Sequence, residues 1–427
     1  MTGPEKLKAK TENRGSLFFC FPFVKVIVIM LVLGMKSVMS AEGNAPKPVL
    51  VHYMPWYASK PVSDVWGWHW TMGHFDPAQV GSDGQRAVAS HDYPLIGLYD
   101  SNDPDVLECH VLLIKLAGIN GVVIDWYGID RFRDYAENHR NTQHLIKYIK
   151  QAGLKFAICY EDQTVKHMVE NKVLKKEEAV AQGKKVFKWL DEHWFQDDAY
   201  VKIAGQPVLL VFGPQYFKKD QWSEMKIGLS NPPLLYGLPH LAKPVGADGM
   251  FGWPPVSDGQ AVAPAIWKKY LRDLYSRAPD ESVIAAAFPG FHDIYQEAKL
   301  HKSYGSIAAR DGKTLKETLE LAEQSQAALI QIATWNDYGE GTVIEPVRKR
   351  GYQYLEIVQK FMQSRSEDAV AFRAEDLRLP VKLYALKKQY QNDTQAMSNL
   401  KRATDLLFSG KCDAARSILE TYPAKGR

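Results

Sequence analysis

Two carboxylates three residues apart stand in a short glycine-rich segment in the last quarter of the chain. Residues 336–341 read Asn-Asp-Tyr-Gly-Glu-Gly and follow an apolar run, so Asp337 and Glu340 come directly after a predicted buried strand. Cleavage of a glycosidic bond through an oxocarbenium-like transition state employs two carboxyl groups, one protonated and one ionised. Burial beside aromatic rings raises the pKa of one such carboxyl while the other stays ionised. The pattern therefore predicts that Asp337 and Glu340 form a catalytic pair.

Aromatic and polar side chains are concentrated at the ends of the predicted strands. Seven of the eleven tryptophans lie at these ends or in the loop after the first predicted strand. Aromatic faces stack on the C–H faces of sugar rings, while carboxylates and amides bind the hydroxyls. Simple packing at the top of the fold is the alternative for Trp126 and Trp335. The predicted saccharide-binding residues are Tyr53, Trp56, Tyr57, Trp68, Asp125, Trp126, Tyr127, Glu161, Trp253, Phe291, Asp293, Trp335 and Asn336.

The elements that must position these residues recur along the chain. Apolar or β-branched runs alternate with segments of helical period, which predicts a parallel sheet wrapped by helices. The eight runs match the number that a closed barrel needs, and reactive groups in that fold lie at the C-terminal ends of the strands. We therefore predict the α/β class and a (β/α)8 TIM barrel. The predicted strands are residues 49–57, 121–127, 155–161, 207–212, 234–237, 249–253, 283–288 and 328–335.

Helical periodicity is legible between several of these runs and again at the end of the chain. Thr314 and Glu317 have the spacing of a capping box, while residues 238–248 are weakly helical and are expected to form a loop. We predict a barrel domain over residues 42–378 and a small helical accessory region over residues 379–427. The predicted helices are residues 144–152, 263–276, 315–324, 352–364, 382–390, 397–408 and 413–422.

The first 41 residues have the pattern of an export signal. Basic residues precede an apolar run over residues 26–35, and small residues follow at Ser40 and Ala41. We expect cleavage near Ala41 and a protein that is periplasmic, attached to the cell surface or secreted. The alternative joins residues 17–23 to this run in one uncleaved membrane anchor of roughly 20 residues.

Charge and composition exclude several classes of partner. Loss of residues 1–41 removes six basic and two acidic residues, so the formal charge of +4 falls to zero. A neutral chain without a basic stripe argues against nucleic acid as a partner. Only Cys109, Cys159 and Cys412 would remain after cleavage, an odd number at wide spacing that indicates neither a disulfide framework nor a CxxC metal motif.

Neither a metal nor an organic cofactor is expected. His69 and His74, with His292 farther along the chain, are the candidates for metal ligands, but no HExxH motif or tight histidine and aspartate cluster accompanies them. The chain also has no Walker loop and no dinucleotide-binding fingerprint after a strand.

The segment around the two carboxylates resembles a known family. Residues 333–346 read Ala-Thr-Trp-Asn-Asp-Tyr-Gly-Glu-Gly-Thr-Val-Ile-Glu-Pro, which is similar to the Asn-Glu-x-x-Glu-Gly-Thr-x-Ile-Glu signature of glycoside hydrolase family 99, the endo-α-mannosidases and endo-α-mannanases. The resemblance extends over residues 49–346 and includes the broader clan of families 71 and 99. Further motifs in the family's order are His52-Tyr53, Trp56-Tyr57, residues 121–128 and Pro289-Gly290-Phe291 with Asp293.

The resemblance implies a role for each carboxylate in a retaining, endo-acting enzyme. Glu340 matches the family's general acid/base, and Asp337 matches the residue thought to deprotonate the 2-hydroxyl of the sugar, which gives a 1,2-anhydro sugar that water opens. Here Asp replaces the family's Glu and reaches about one methylene less far, in a geometry that tolerates little displacement. An α-1,3-glucanase-like activity, as in family 71, therefore stays open beside action on α-mannans or N-glycans.

Two other functions compete with a glycoside hydrolase. A similar signature occurs in proteins of polysaccharide assembly that are described as glycosyltransferases, although an export signal argues against cytosolic nucleotide-sugar donors. A non-catalytic saccharide-binding barrel is the second alternative, and it would be favoured if Asp337 and Glu340 pointed apart.

Overall fold

The computed structural model describes residues 46–278, 280–365 and 372–423, and residues 46 onward form one compact unit. The predicted signal or anchor at residues 1–41 lies outside the described residues. Within the described ranges, no helix combines the length and the apolar character that a bilayer span requires.

Parallel strands form a closed ring at the centre of the molecule. The ring runs β3-β2-β1-β12-β9-β7-β6-β5, and it closes where Ile158 of β3 pairs with Leu209 of β5. All eight strands were predicted from their apolar runs, so the predicted barrel is confirmed. The strands are β1 Val49–Tyr53, β2 Gly121–Trp126, β3 Lys155–Tyr160, β4 Lys202–Ile203, β5 Gln206–Val211, β6 Leu234–Gly237, β7 Gly249–Phe251, β8 Gln260–Ala261, β9 Ser282–Ala287, β10 Phe291–His292, β11 Gly305–Ile307 and β12 Leu329–Ile332.

The barrel strands are almost continuously apolar because both of their faces are covered. Every residue of β1 and β2 is buried, with one face toward the barrel interior and the other toward the surrounding helices. Gly121 begins β2 at a point of close approach, where an added Cβ would lie 2.5 Å from the Lys155 carbonyl oxygen and 2.6 Å from a Leu50 methyl group. Close backbone packing therefore requires glycine at this position.

The helices agree with most of the predicted segments. The helix predicted to begin at residue 144 begins at Tyr135, and residues 238–248 contain a short α-helix and a 3-10 turn where a loop was expected. The helices are α1 Trp68–Thr71, α2 Pro104–Leu116, α3 Tyr135–Gln151, α4 Gln163–Glu170, α5 Ala179–Leu190, α6 Lys219–Lys226, α7 Pro239–Ala242, α8 Pro264–Tyr275, α9 Lys313–Gln324, α10 Gln353–Gln363, α11 Leu379–Gln389, α12 Thr394–Phe408 and α13 Cys412–Glu420.

The predicted capping box at α9 is wrong. Gly312 is the N-cap residue with φ 82°, a left-handed conformation that glycine adopts without steric cost. The Thr314 hydroxyl lies inside the helix and donates a 2.6 Å hydrogen bond to the Ala308 carbonyl oxygen.

The C-terminal helices pack on α2 through a buried ion pair. Lys387 of α11 donates a 2.6 Å hydrogen bond to Glu108 of α2, and the Thr404 hydroxyl of α12 donates to the same carboxylate at 3.1 Å. Burial raises the pKa of Glu108, and Lys387 opposes that shift. Leu383 and Leu400 belong to the same continuous apolar core as the barrel strands. The helices of the predicted accessory region thus share the barrel's core.

We predict that Lys387→Met lowers the free energy of unfolding by about 3–5 kcal/mol, because it leaves the Glu108 carboxylate buried without its cation. Urea denaturation at pH 7 measures the change. Lys401→Met is the matched control, since Lys401 pairs with Asp405 on the exposed face of α12, and it should change stability by less than about 1 kcal/mol. The double variant Lys387→Met with Glu108→Leu should recover most of the loss. Equal effects at Lys387 and Lys401 would contradict this interpretation.

Candidate active site

A cavity of about 300 Å³ opens at the C-terminal ends of the barrel strands. Its walls come from residues at or after the ends of β1, β2, β3, β5, β7 and β12, together with the helical loop after β1 and the loop between β10 and β11. Both carboxylates of the predicted catalytic pair lie in this cavity. The lining residues are His52, Met54, Trp56, Tyr57, Trp68, His69, Met72, Asp125, Tyr127, Glu161, Gln163, Phe212, Gln215, Trp253, Tyr295, Tyr304, Asp337, Gly339 and Glu340.

A tight turn after β12 brings Asp337 and Glu340 together. The Thr334 hydroxyl oxygen accepts the Asp337 amide at 2.8 Å, and Asp337 Oδ1 accepts the Glu340 amide at 3.0 Å. The Gly341 amide then donates to the Asp337 carbonyl oxygen at 3.0 Å. One oxygen of Asp337 thus stabilises the turn.

Burial raises the pKa of Asp337 to about 6, although the Glu340 and Gly339 amides lower it. Backbone amides favour the ionised form because they donate to the negative charge. Asp337 therefore keeps a substantial ionised fraction near neutral pH.

Glu340, in contrast to Asp337, favours its protonated form. Burial raises its pKa well above the usual range, and the neighbouring charge of Asp337 raises it further. Its Oε2 accepts a 3.2 Å hydrogen bond from the Trp253 indole, and its backbone carbonyl accepts the His292 amide at 2.9 Å. The pair thus presents one protonated and one ionised carboxyl, the combination that glycosidic cleavage uses.

Asp125 and Glu161 add two more carboxyl groups to the cavity. Burial, followed by the charge of Glu161, raises the pKa of Asp125 well above the usual range. Burial also raises the pKa of Glu161 to about 7, while a hydrogen bond from Gln163 opposes the shift. Asp125 Oδ1 is buried and has no hydrogen-bond partner among the described residues. A buried oxygen without a partner at a cavity wall is suited to bind a polar group of a ligand.

One wall of the cavity is aromatic. Trp56 stacks on His69 with ring centroids 4.1 Å apart and planes 6° apart, and the Tyr127 ring lies 6.0 Å from Trp56 with planes 29° apart. Trp68 stands at the rim with 49% of its surface exposed. Rings in this arrangement offer flat apolar faces next to carboxyl groups, as saccharide binding requires.

A second cavity of about 610 Å³ continues from this wall. It shares five lining residues with the first cavity, and Tyr135, Arg133 and His167 extend its walls. The two cavities therefore join into one cleft. The shared residues are Trp68, His69, Tyr127, Glu161 and Gln163.

The structure brings most of the predicted site residues into the cavity. These residues lie at or after the ends of five different strands and converge because the ring of strands is closed. They are Trp56, Tyr57, Trp68, Asp125, Tyr127, Glu161, Trp253, Asp337 and Glu340.

Trp126 and Tyr53 lie outside the cavity, which corrects their predicted role. Successive side chains of a strand point to opposite faces, so Trp126 points outward where its neighbour Asp125 points inward. The Trp126 indole donates to His139 of α3 at 3.1 Å. Tyr53 points toward α2, and its hydroxyl lies 2.9 Å from His110 Nδ1.

Asn336, Trp335, Asp293 and Phe291 are buried beside the cavity but do not line it. Asn336 ties the turn to β1, since its Oδ1 accepts the Met54 amide at 2.8 Å. Trp335 is fully buried, in agreement with the packing alternative.

Asp293 holds the loop that supplies Tyr295 and Tyr304. Its carboxylate accepts the Tyr304 amide at 2.8 Å and the Ser303 hydroxyl at 3.0 Å. Phe291 packs in the core as part of β10, which pairs with β11. Neither side chain lines the cavity, and Asp293 shapes its wall through the loop that it holds.

Several cavity residues were not predicted. His52 follows the same alternation as Asp125, and burial lowers its pKa to about 4, so its ring is neutral near pH 7. The position of His52 at the end of an apolar run was a usable signal. Tyr295 and Tyr304 come from an irregular loop whose sequence shows no periodicity. No group of three or more His, Cys, Asp or Glu side chains in the described ranges is arranged to hold a metal ion.

The sequence of this chain is similar to those of several known proteins. The chain is similar to a glycoprotein endo-alpha-1,2-mannosidase-like protein of Danio rerio, with 35% identity over 329 residues that cover 69% of this chain and 70% of the relative. It is also similar to the glycoprotein endo-alpha-1,2-mannosidase of Rattus norvegicus, with 23% identity over 410 residues that cover 81% of this chain and 80% of the relative. No family model matches the chain.

Among solved structures, the fold of this chain is similar to that of the GH99 endo-alpha-mannosidase of Bacteroides thetaiotaomicron. It superposes with a TM-score of 0.55 at 17% identity, over 74% of this chain and 97% of that chain. This likeness shows that the two proteins share the barrel fold.

We predict that Asp337→Asn stabilises the protein at pH 7. A folded-state pKa of about 6, against about 3.9 in an unfolded chain, means that ionisation of Asp337 costs about 3 kcal/mol of stability above pH 6. This cost disappears as the pH falls below 4, where both states are protonated. Thermal and urea unfolding at pH 7 and pH 4 should show a gain at pH 7 only. The same difference at both pH values would contradict the assigned shift.

Proposed function

The chain belongs to glycoside hydrolase family 99 and is a glycosidase, and we propose that it is an exported, retaining endo-α-mannosidase that uses Glu340 and Asp337. The observation that carries this proposal is the convergence of both carboxyls in one aromatic-walled cavity, one protonated and one ionised. The named relatives act on α-mannosides, which supports an α-mannan or N-glycan substrate.

In the first step, Asp337 accepts the proton of the sugar 2-hydroxyl while that oxygen bonds to the anomeric carbon. The bond to the leaving oxygen breaks as Glu340 donates its proton to that oxygen. Water then attacks the anomeric carbon and gives a proton to Glu340, and Asp337 returns its proton to O2 as the 1,2-anhydro ring opens. Two inversions at one carbon retain the configuration.

Neighbouring groups support the charge changes of this route. Positive charge at the anomeric carbon is favoured by the ionised Asp337 and by Glu161, which line the same cavity. The Trp253 indole holds Glu340 in place. The continuous second cavity supports endo action because it has room for further sugar residues.

Export rests on the basic and apolar pattern of residues 1–41. Expression of the full chain, followed by fractionation and N-terminal sequencing, measures the outcome. We expect mature protein outside the cytoplasm with an N-terminus close to Glu42. Intact protein in the membrane fraction would support the anchor, and intact protein in the cytosol would contradict export.

A screen of products from α-mannans, α-glucans and high-mannose N-glycans tests the substrate. We expect internal cleavage of α-mannosidic linkages with retained configuration, measured by NMR of the fresh product. Cleavage of α-glucans alone would contradict the mannosidase and favour the family 71 activity. Binding without turnover of any of these would support a saccharide-binding barrel.

Variants of the two carboxyls test their roles. Glu340→Gln should lower turnover of natural substrates by about 10² to 10⁴ and have a milder effect on activated aryl glycosides, whose leaving groups need little protonation. Asp337→Asn should be severe on both, because Asp337 acts at the sugar ring. Glu297→Gln, a half-exposed carboxyl outside the cavity, is the control. An Asp337→Asn enzyme with wild-type rates would remove Asp337 from the mechanism.

Asp337→Glu probes the departure from the family's signature. If the walls are adapted to the shorter residue, the longer side chain should lower activity, because it disturbs the hydrogen bond from the Glu340 amide. Steady-state rates on one natural and one activated α-mannoside measure the change. A higher rate would contradict this adaptation and indicate that Asp337 limits catalysis.

A further inference from the structure

A chain of buried polar groups lies beneath the active site and does not line the cavity. The Tyr53 hydroxyl lies 2.9 Å from His110 Nδ1, and His110 Nε2 lies 3.1 Å from Glu345 Oε1. The Tyr99 hydroxyl donates to Glu345 Oε2 at 2.9 Å. His110 has no exposed surface, and Glu345 is 3% exposed. Each oxygen of this buried carboxylate therefore has a specific partner.

Glu345 connects this chain to both ends of the segment that carries the catalytic pair. Its amide donates to the Trp335 carbonyl oxygen at 3.0 Å, which closes the segment on itself. Asn336 Nδ2 donates to the Tyr99 hydroxyl at 3.0 Å, so the hydroxyl that binds Glu345 also holds the residue before Asp337. Movement of the Glu345 carboxylate would thus displace Asn336, the residue directly before Asp337.

We propose that His110 is a positioning residue, which fixes the turn of Asp337 and Glu340 through its contact with Glu345. The proposal rests on the proposed function in that the turn carries the catalytic carboxyls. With its Nε2 hydrogen donated to the carboxylate, His110 leaves Nδ1 as an acceptor for the Tyr53 hydroxyl. Both ring nitrogens are then used, and the ring has one orientation.

The helix that carries His110 is itself held in place. Two residues before His110, Glu108 binds Lys387 and Thr404 of the C-terminal helices. Asp103, the N-cap residue of α2, accepts a hydrogen bond from the Asp105 amide at 3.0 Å and also pairs with Lys388 at 2.8 Å. α2 therefore gives His110 a rigid base, and a carboxylate oriented by a rigid donor holds its position better than one oriented by solvent.

Two substitutions separate the two hydrogen bonds of His110. The amide of Gln reaches the position of Nε2, so His110→Gln can still donate to Glu345. The shorter amide of Asn reaches only the position of Nδ1, so His110→Asn loses Glu345 and keeps a contact with Tyr53. His139→Asn is the matched control, because His139 binds a tryptophan of the barrel wall from α3 and faces away from the cavity.

We expect His110→Asn to lower kcat by about 10², the effect of a displacement of roughly 1 Å in a catalytic group, while KM changes little. His110→Gln should restore most of kcat, and His139→Asn should leave kcat unchanged. The loss of kcat should be larger on natural than on activated substrates, because a displaced Glu340 donates its proton less well and natural leaving groups need that proton. Equal losses in the Asn and Gln variants, or normal kcat in His110→Asn, would overturn the proposal.

A second measurement does not depend on turnover. The Trp253 indole N–H donates to Glu340, so its NMR resonance in the ¹⁵N-labelled full chain reports the position of that carboxyl. We expect this resonance to move in His110→Asn and to keep its wild-type position in His110→Gln and His139→Asn. An unmoved resonance in His110→Asn contradicts the proposal even if the wild type cleaves no tested glycan, an outcome that would count against the proposed function alone.

Tyr99→Phe serves if His110→Asn does not fold. It removes only the hydroxyl that joins Glu345 to Asn336. We expect the Trp253 resonance to move from its wild-type position and kcat to fall. A folded Tyr99→Phe protein with wild-type kcat and an unmoved resonance would contradict the role of this hydrogen-bonded chain.

Discussion

The segment after the last barrel strand is closed on itself by hydrogen bonds, and the active site depends on this closure. Thr334 donates its amide to the Thr342 carbonyl oxygen at 2.8 Å, and Glu345 donates to Trp335 at 3.0 Å. Between these bonds lies the turn with Asp337 and Glu340. A loop buried at the mouth of a barrel must satisfy its own polar groups, and the same bonds that satisfy them orient the two carboxyls.

Burial of these carboxyls opposes stability and enables chemistry at the same time. Desolvation raises the pKa of Glu340 and of Asp125 well above the usual range, because a low-dielectric site disfavours charge. Backbone amides offset part of this effect at Asp337. The difference between the two signature carboxyls therefore comes from the turn itself, which gives Asp337 amide donors and gives Glu340 the charge of Asp337.

The C-terminal helices extend the barrel's core and bind the helix that supports the site. They contribute no residue to the cavity, yet Lys387 and Lys388 hold α2 at Glu108 and Asp103. A region that appeared separate in the sequence thus packs as a further layer on one barrel helix. Amphipathic periodicity predicts such helices, but it cannot identify the surface that their apolar face covers.

The sequence alone determined the eight strands, the barrel, the family and nine cavity residues at strand ends or in the loop after the first strand, because apolar runs and a local signature are properties of neighbouring residues. It could not determine which of two adjacent residues faces the interior. Asp125 and Trp126, or His52 and Tyr53, both end runs that are buried on two faces, so no polar alternation distinguishes them. Tyr295 and Tyr304 reach the cavity from an irregular loop that Asp293 holds. Only the tertiary structure decided these positions, since they depend on contacts between residues far apart in the chain, such as His110 with Glu345.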